Sequence, residues 1–299
     1  MEHSISIRNL NRRFGSIQAV NGLDLDVPRG SITGLLGPNG AGKTTTLHII
    51  IGILRRHSGE VSVMGMDPDR QPVAIRTHTG FVMESPRAEP RFTVRRHLSF
   101  HRSFRPTWDD NLANDLVSRF RLHPKKPCHA LSRGEQAKLA LVCALAFRPR
   151  LLVLDDPTSG LDPLARHEFI DGILQVIAQE GRTVLFSTHV VDDIERVADR
   201  VIMMDSGKHL LADDLEHLHA SMRAFRLSFQ DKPAPTSLDV PGLLRWQPEG
   251  RAGLAIIADY SEACQAALDK THALLEPMDL SLEDIYLEIV KARAAGGTP

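Results

Sequence analysis

The sequence predicts an α/β protein in which antiparallel strands precede a parallel sheet, a helical insert interrupts that sheet, and a small C-terminal α+β domain follows. Three observations carry the prediction. Apolar strand-like stretches at Ser31 to Leu36, Leu151 to Leu154, Thr183 to Ser187 and Val201 to Met204 are separated by helix-like segments, the pattern of a parallel sheet covered by helices. The first 36 residues instead alternate apolar and polar positions between turn residues. Past roughly residue 220 the pattern changes again, to short strands around a Pro-rich stretch and two helix-like segments. The expected units are 1–218, with a helical insert at about 87–148, and 219–299.

A chain of 299 residues has room for two ordinary domains. With 36 basic against 37 acidic residues, its net charge of -1 gives no global positive field to gather nucleic acid, and no nucleic-acid partner is expected. Hydrophobic content of 42% excludes disorder throughout. The longest apolar runs, such as Leu47 to Leu54, fall short of the roughly 18 residues that span a bilayer. The opening Met1-Glu2-His3-Ser4 lacks the basic and apolar segments of a secretory signal, so a cytoplasmic location is expected. Cys128, Cys143 and Cys264 are odd in number and widely spaced, which predicts reduced, buried thiols.

In chain order, Ser4 to Leu10 and Leu23 to Val27 read as antiparallel strands, with Asn21-Gly22 and Pro28-Arg29-Gly30 as turns. Ser31 to Leu36 is a buried strand; a glycine-rich loop and a buried helix from Lys43 to Leu54 follow. The insert breaks at Arg105-Pro106 and around Pro124 to Pro127, and its first helix starts at Thr93. Later helices are expected at about Pro163 to Gln179 and Val191 to Ala198. In the last unit, strands at Arg223 to Phe229 and Leu254 to Ala258 precede helices after Ser261 and Ser281. The terminal Ala-Ala-Gly-Gly-Thr-Pro is expected to fray.

Chemistry concentrates at Gly37-Pro38-Asn39-Gly40-Ala41-Gly42-Lys43-Thr44, which fits the phosphate-binding pattern G-x-x-x-x-G-K-[ST] between a strand and a helix. The glycines let backbone N–H groups turn inward around phosphate oxygens, and the helix N-terminus adds partial positive charge. Lys43 would reach the β and γ phosphates. Thr44 would place its hydroxyl on Mg²⁺, and Asn39, Gly40 and Thr45 complete the predicted cradle. The apolar strand Leu151 to Leu154 ends in Asp155 and Asp156. The first carboxylate can orient hydrated Mg²⁺, and the second can accept a proton from attacking water.

Leu131-Ser132-Arg133-Gly134-Glu135-Gln136 lies between these halves, and Ser159-Gly160-Leu161-Asp162 and Ser187-Thr188-His189 follow them. The ordered set resembles the ATP-binding cassette (ABC) ATPases, phosphate-loop NTPases, from about Ser4 to Leu218. The resemblance implies that Phe14 stacks on adenine and Val20 touches the same base. It implies that Glu84, where the family usually has Gln, is a Mg²⁺ ligand and a link to a membrane subunit. Ser132 and Gly134 would face the γ phosphate bound by the opposite chain of a head-to-tail dimer, and His189 would contact that phosphate. The implied cofactors are ATP and Mg²⁺. The implied partners are a transmembrane permease subunit and a second ATPase subunit, identical or related, at the cytoplasmic face of the membrane. Two departures stand out: Arg133 replaces the usual first glycine of L-S-G-G, and Asp156 replaces the usual Glu. The shorter acid withdraws the general base by roughly 1 Å, a displacement that can cost ~100-fold in rate.

Leu280-Ser281-Leu282-Glu283-Asp284-Ile285-Tyr286-Leu287-Glu288 resembles the ending of ATPases from exporters whose membrane subunit is a separate chain. The alternatives are a non-transport ABC ATPase or a slow nucleotide-dependent switch. His97 and His101 have the i, i+4 spacing of paired metal ligands, but no third ligand accompanies them in sequence, and no metal site is expected there. Six arginines between Arg87 and Arg105 interleave with Phe92, Phe100, Phe104 and Trp108. Single-stranded nucleic acid, a solvated amphipathic helix, or contact with a membrane partner near anionic lipid would each use such a patch; the resemblance favours the last.

Overall fold

Two long strands, β1 (His3–Phe14) and β2 (Ile17–Pro28), open the chain as an antiparallel hairpin, joined on the outer edge of β1 by β4 (Ser58–Val63). The computed structural model describes residues 2–177, 181–230 and 232–294. Alternation puts Ile5, Ile7, Leu23, Leu25 and Val27 into the core. The hairpin turns at Gly15-Ser16, not at Asn21-Gly22. Gly22 lies within β2 at φ 65°, where its N–H donates to Asn11 Oδ1 at 3.0 Å. The expected turn is thus a kink inside a continuous strand, the use a strand makes of an interior glycine.

The central sheet runs β5 (Thr79–Val82), β6 (Leu151–Asp155), β7 (Thr183–Thr188), β3 (Ile32–Leu36), β8 (Arg200–Asp205), β9 (Lys208–Asp214). From β5 through β8 the pairing is parallel. Every residue of β6 and β7 is buried, which explains their uninterrupted apolar runs. The register pairs Leu36 with Thr188 and Asp155 with Ser187. The loops leaving β3, β6 and β7 therefore emerge side by side, at the carboxyl edge where such sheets bind ligands.

Helix α1 (Lys43–Ile50) follows β3 and contributes Leu47, Ile49 and Ile50 to a core shared by both sheets. It stops short of the expected Leu54 because Gly52 adopts φ 68°, the left-handed conformation that ends helices. Helices α2 (Pro72–His78), α3 (Val94–Arg102), α4 (Asp110–Arg119) and α5 (Arg133–Leu145) follow. Thr93 caps α3 by accepting from Arg96 N at 3.3 Å, and Asp109 caps α4 by accepting from Leu112 N at 3.0 Å. Helices α6 (Pro163–Ile177) and α7 (Val191–Val197) flank β7 in the chain. The expected end of α6 at Gln179 lies outside the described residues.

The chain divides into compact units Met1–Ala212 and Asp213–Pro299. A boundary at 218/219 would cut α8 (Leu215–Ser221), which belongs wholly to the second unit. That unit holds β10 (Arg223–Ser228), β11 (Leu243–Glu249), β12 (Ala252–Ile257), α9 (Glu262–Asp269), β13 (Leu274–Met278) and α10 (Leu282–Ala294). Its sheet, in the order β11-β12-β10-β13, is antiparallel. Phe225, Leu227, Ala255, Ile257, Cys264 and Leu268 form its core. Ser281 caps α10 by accepting from Asp284 N at 3.1 Å, and Arg245 pairs with Glu288 at 3.0 Å to tie α10 to β11. Residues 295–299 of the expected frayed terminus lie outside the described part.

Candidate nucleotide site

The loop between β3 and α1 is shaped by its glycines. A Cβ at Gly37 would meet Met204 O at 2.3 Å, and one at Gly42, which adopts φ 97°, would meet Ala19 O at 2.4 Å. Only glycine fits either position. The loop curls over Lys43, whose Nζ donates to Gly37 O at 2.6 Å and Pro38 O at 3.0 Å. Burial lowers the Lys43 pKa, against the opposing pull of Asp156, Asp155 and Glu84.

Asp155, 2% exposed, ends β6 and receives two hydroxyl hydrogen bonds at Oδ1, from Thr44 at 3.0 Å and from Ser187 at 2.9 Å. Ser187 Oγ also accepts from the Asp156 backbone N–H at 3.0 Å. Asp156 has φ 41°, a left-handed conformation that Asp tolerates better than most residues. Its Oδ2 lies 2.6 Å from His189 Nδ1, while Oδ1 is buried without a hydrogen-bond partner among the described residues. Burial raises the Asp156 carboxyl above its ordinary range, although His189 pulls it down.

A cavity of about 290 Å³ is lined by Asn39, Gly40, Gly42, Lys43, Thr44, Thr45, Glu84, Asp155 and Asp156, with Ala41. Glu84 is positioned there by Ser159, whose hydroxyl donates to Oε1 at 3.3 Å. The hydroxyl of Thr44 and the carboxylates of Asp155 and Glu84 are all oxygen donors lining this cavity, and the Thr44–Asp155 contact brings two of them together. This set fits Mg²⁺, a hard cation that takes one or two protein carboxylates and completes its shell with water and phosphate.

Other expected residues lie elsewhere. Phe14 is 43% exposed at the end of the first hairpin, with the Arg12 guanidinium 4.6 Å from its ring centroid. Val20 is a correction: with 0% exposure it is a member of the core, so its side chain offers no surface to a base. Ser132 is exposed and caps α5, accepting from Glu135 N at 3.2 Å while Glu135 Oε2 accepts from Ser132 N at 2.8 Å. Neither Ser132 nor Gly134 lines the cavity of its own chain. Arg133 leans toward the Ser159 to Asp162 loop, where a Cβ on Gly160 would lie 3.0 Å from its Nη1. His48 was not anticipated; its Nε2 lies 3.9 Å from Asp155 Oδ2. Nor was Ser187, although its place beside His189 in the sequence and the strand register both pointed to it.

A glycine loop joining a parallel strand to a helix, with a lysine inside it and two carboxylates at the end of β6, one strand beyond the neighbour of β3, defines a phosphate-loop nucleotide-binding protein. The family pattern described as ABC transporter matches residues 20–159. The chain is 35% identical to the ABC transporter ATP-binding protein YdbJ of Bacillus subtilis, over 69% of this chain and 68% of that protein. It is 37% identical to Nod factor export ATP-binding protein I of Burkholderia lata, over 69% of each. A solved ATP-binding subunit of an ABC transporter superposes with a TM-score of 0.65 at 26% identity, covering 72% of this chain and 92% of the other. This chain belongs to the ABC transporter ATP-binding proteins; it binds ATP and is an ATP hydrolase coupled to transport. Among the described residues no helix is long and apolar enough to cross a membrane.

Proposed function

We propose that this chain is the ATPase subunit of an exporter, working as a dimer around two Mg-ATP and driving a separately encoded membrane subunit. The observation that carries the dimer is the incomplete cavity: the phosphate loop and both carboxylates line it, but Ser132 and Gly134 of the same chain do not. A second copy or related subunit, docked head to tail, supplies that wall. The exporter reading is supported by the Leu280 to Glu288 ending and by a relative named for Nod factor export.

Lys43 exchanges its bonds to Gly37 O and Pro38 O for phosphate oxygens. Thr44, Asp155 and Glu84 would hold Mg²⁺, which when bound would screen the phosphate charge. Asp156 takes the proton of the attacking water on Oδ1, the oxygen without a partner, while His189 fixes Oδ2. Catalysis is mainly positioning and charge stabilisation.

The membrane partner is met by the surface after Glu84. There Phe100 and Phe104 are 50% and 68% exposed, and Arg96 covers Phe92 at 4.5 Å. This arrangement suits a helix of a membrane protein near anionic headgroups, and it holds the chain peripherally at the cytoplasmic face. The second unit acts as an accessory, regulatory domain.

The test mixes two inactive chains, Lys43→Ala and Gly134→Asp. A mixed dimer keeps one composite site free of both changes, so phosphate release should rise above either parent toward about a quarter to a half of wild type, the range set by random pairing and by how far one intact site works alone. No recovery, either on mixing or on covalent linkage of the two chains, would remove the shared-site reading.

A further inference from the structure

His97 and His101, one turn apart on α3, lack a third ligand in sequence, but the fold supplies one. Cys143, near the end of α5, faces them, and one donor atom from each residue lies within 4.8 Å of the other two. The expectation of no metal site rested on sequence spacing alone, in which Cys143 is not near the pair. The two imidazole centroids are 4.6 Å apart. His97 is 9% exposed, and its Nδ1 is buried without a hydrogen-bond partner among the described residues. An orphaned buried polar atom costs about 1–3 kcal/mol unless something satisfies it, and a metal ion would do so.

The donor chemistry selects the ion. Two imidazoles and a thiolate are soft to borderline ligands that suit Zn²⁺ and disfavour Mg²⁺ or Ca²⁺. Burial, with a smaller contribution from His101, pushes the His97 pKa down to about 4. Burial and then Arg105 lower that of His101, so both rings are neutral near pH 7, the ligating form. Burial raises the Cys143 thiol pKa while Arg105 opposes it, and a bound cation removes that proton. Tetrahedral zinc needs N···N about 3.3 Å and N···S about 3.6 Å, a closure of at most about 1.5 Å from the present separations that side-chain rotations can supply.

We propose that His97, His101 and Cys143 form a zinc site with three protein ligands, its fourth position open to the cavity of about 300 Å³ that these residues line with Met83, Pro86 and Arg105. The ion ties α3 to α5, and none of its three ligands is among the residues lining the nucleotide cavity.

The test uses the full-length chain, reduced, stripped of metal by a chelator and kept in excess Mg²⁺ so that the oxygen-lined nucleotide site is not counted. Titration with Co²⁺ should give one ion per chain and a thiolate-to-cobalt charge-transfer band, and Zn²⁺ should displace it. Cys143→Ser should abolish the band, and His101→Gln should weaken Zn²⁺ binding about tenfold or more, with circular dichroism confirming the fold of each. A wild-type cobalt spectrum without a thiolate band overturns the site, as does unchanged Zn²⁺ affinity in a folded His101→Gln. The second arm decides even if Cys143→Ser does not fold, because His101 is only half-buried and its replacement leaves the α3–α5 packing in place.

Discussion

Oδ2 of Asp156 and Nδ1 of His189 are 2.6 Å apart, which joins the end of β6 to the loop after β7 beside the cavity that Asp156 lines. The contact fixes one carboxylate oxygen, while the other is buried without a hydrogen-bond partner among the described residues. In the mechanism proposed above, His189 acts through the position of Asp156 as well as through any contact with phosphate.

Replacing Asp156 tests that division of roles. Asparagine tolerates the φ of 41° found there, so Asp156→Asn should fold normally, trap ATP and stabilise the closed dimer while slowing hydrolysis about 10²–10⁴-fold. Asp156→Glu should retain hydrolysis or speed it, since the longer acid regains the reach lost to one methylene. Single-turnover rates at saturating Mg²⁺ and ATP distinguish the two variants. Unchanged hydrolysis in Asp156→Asn would take this carboxylate out of the mechanism.

Lys43→Ala removes the cation at the phosphates together with the bonds to Gly37 O and Pro38 O. ATPase activity should fall to background and ATP affinity should drop. Each lost hydrogen bond is worth about 0.5–1.5 kcal/mol, so thermal unfolding should shift by a few degrees without loss of the native circular dichroism spectrum. Wild-type turnover in a folded Lys43→Ala preparation would contradict the assignment of the loop.

The loop, the carboxylate strand and the parallel sheet were legible because each depends on local pattern: glycine spacing, an apolar run, a strand beside a helix. What was missed depends on tertiary placement. Cys143 meets His101 across two helices, a proximity that no spacing in the chain encodes. Val20 occupies the position expected to touch a base, yet the packing of the core decides where its side chain points. The edge strands β11 and β13 carry Pro248 and Pro277; β13 is largely exposed and β11 is nowhere fully buried, so neither shows the alternation by which a half-buried strand is read. Asn21-Gly22 has turn chemistry, but pairing along both long strands uses the same left-handed glycine as a kink.

Acid stability should report a second charged cluster. Arg56 grips both oxygens of Asp67 at 2.8 Å and Asp69 Oδ2 at 3.0 Å. The hydrogen bonds from Arg56 lower the Asp67 pKa from 3.8 to about 2. A carboxylate depressed in the fold contributes stability above its unfolded pKa and loses it as pH falls through the folded value. The cluster should therefore add on the order of 1–2 kcal/mol above pH 4, allowing for partial exposure, a small part of that near pH 2, and nothing well below it. Urea unfolding between pH 2 and 5 should show a shallower pH slope for Asp67→Asn than for wild type. Identical slopes would mean that the pair is no stronger in the fold than in the open chain.

The buried thiols have a kinetic consequence. Cys128 and Cys264 are each 1% exposed, one in each compact unit. A thiol-blocking reagent reaches such a sulfur only when the surrounding structure opens, so its labelling rate times the opening of that unit. The chain thus carries two native clocks. Peptide-resolved pulse labelling of Cys128 and Cys264, with and without nucleotide, would reveal whether ATP slows the breathing of the first unit alone or of both together, without any introduced probe.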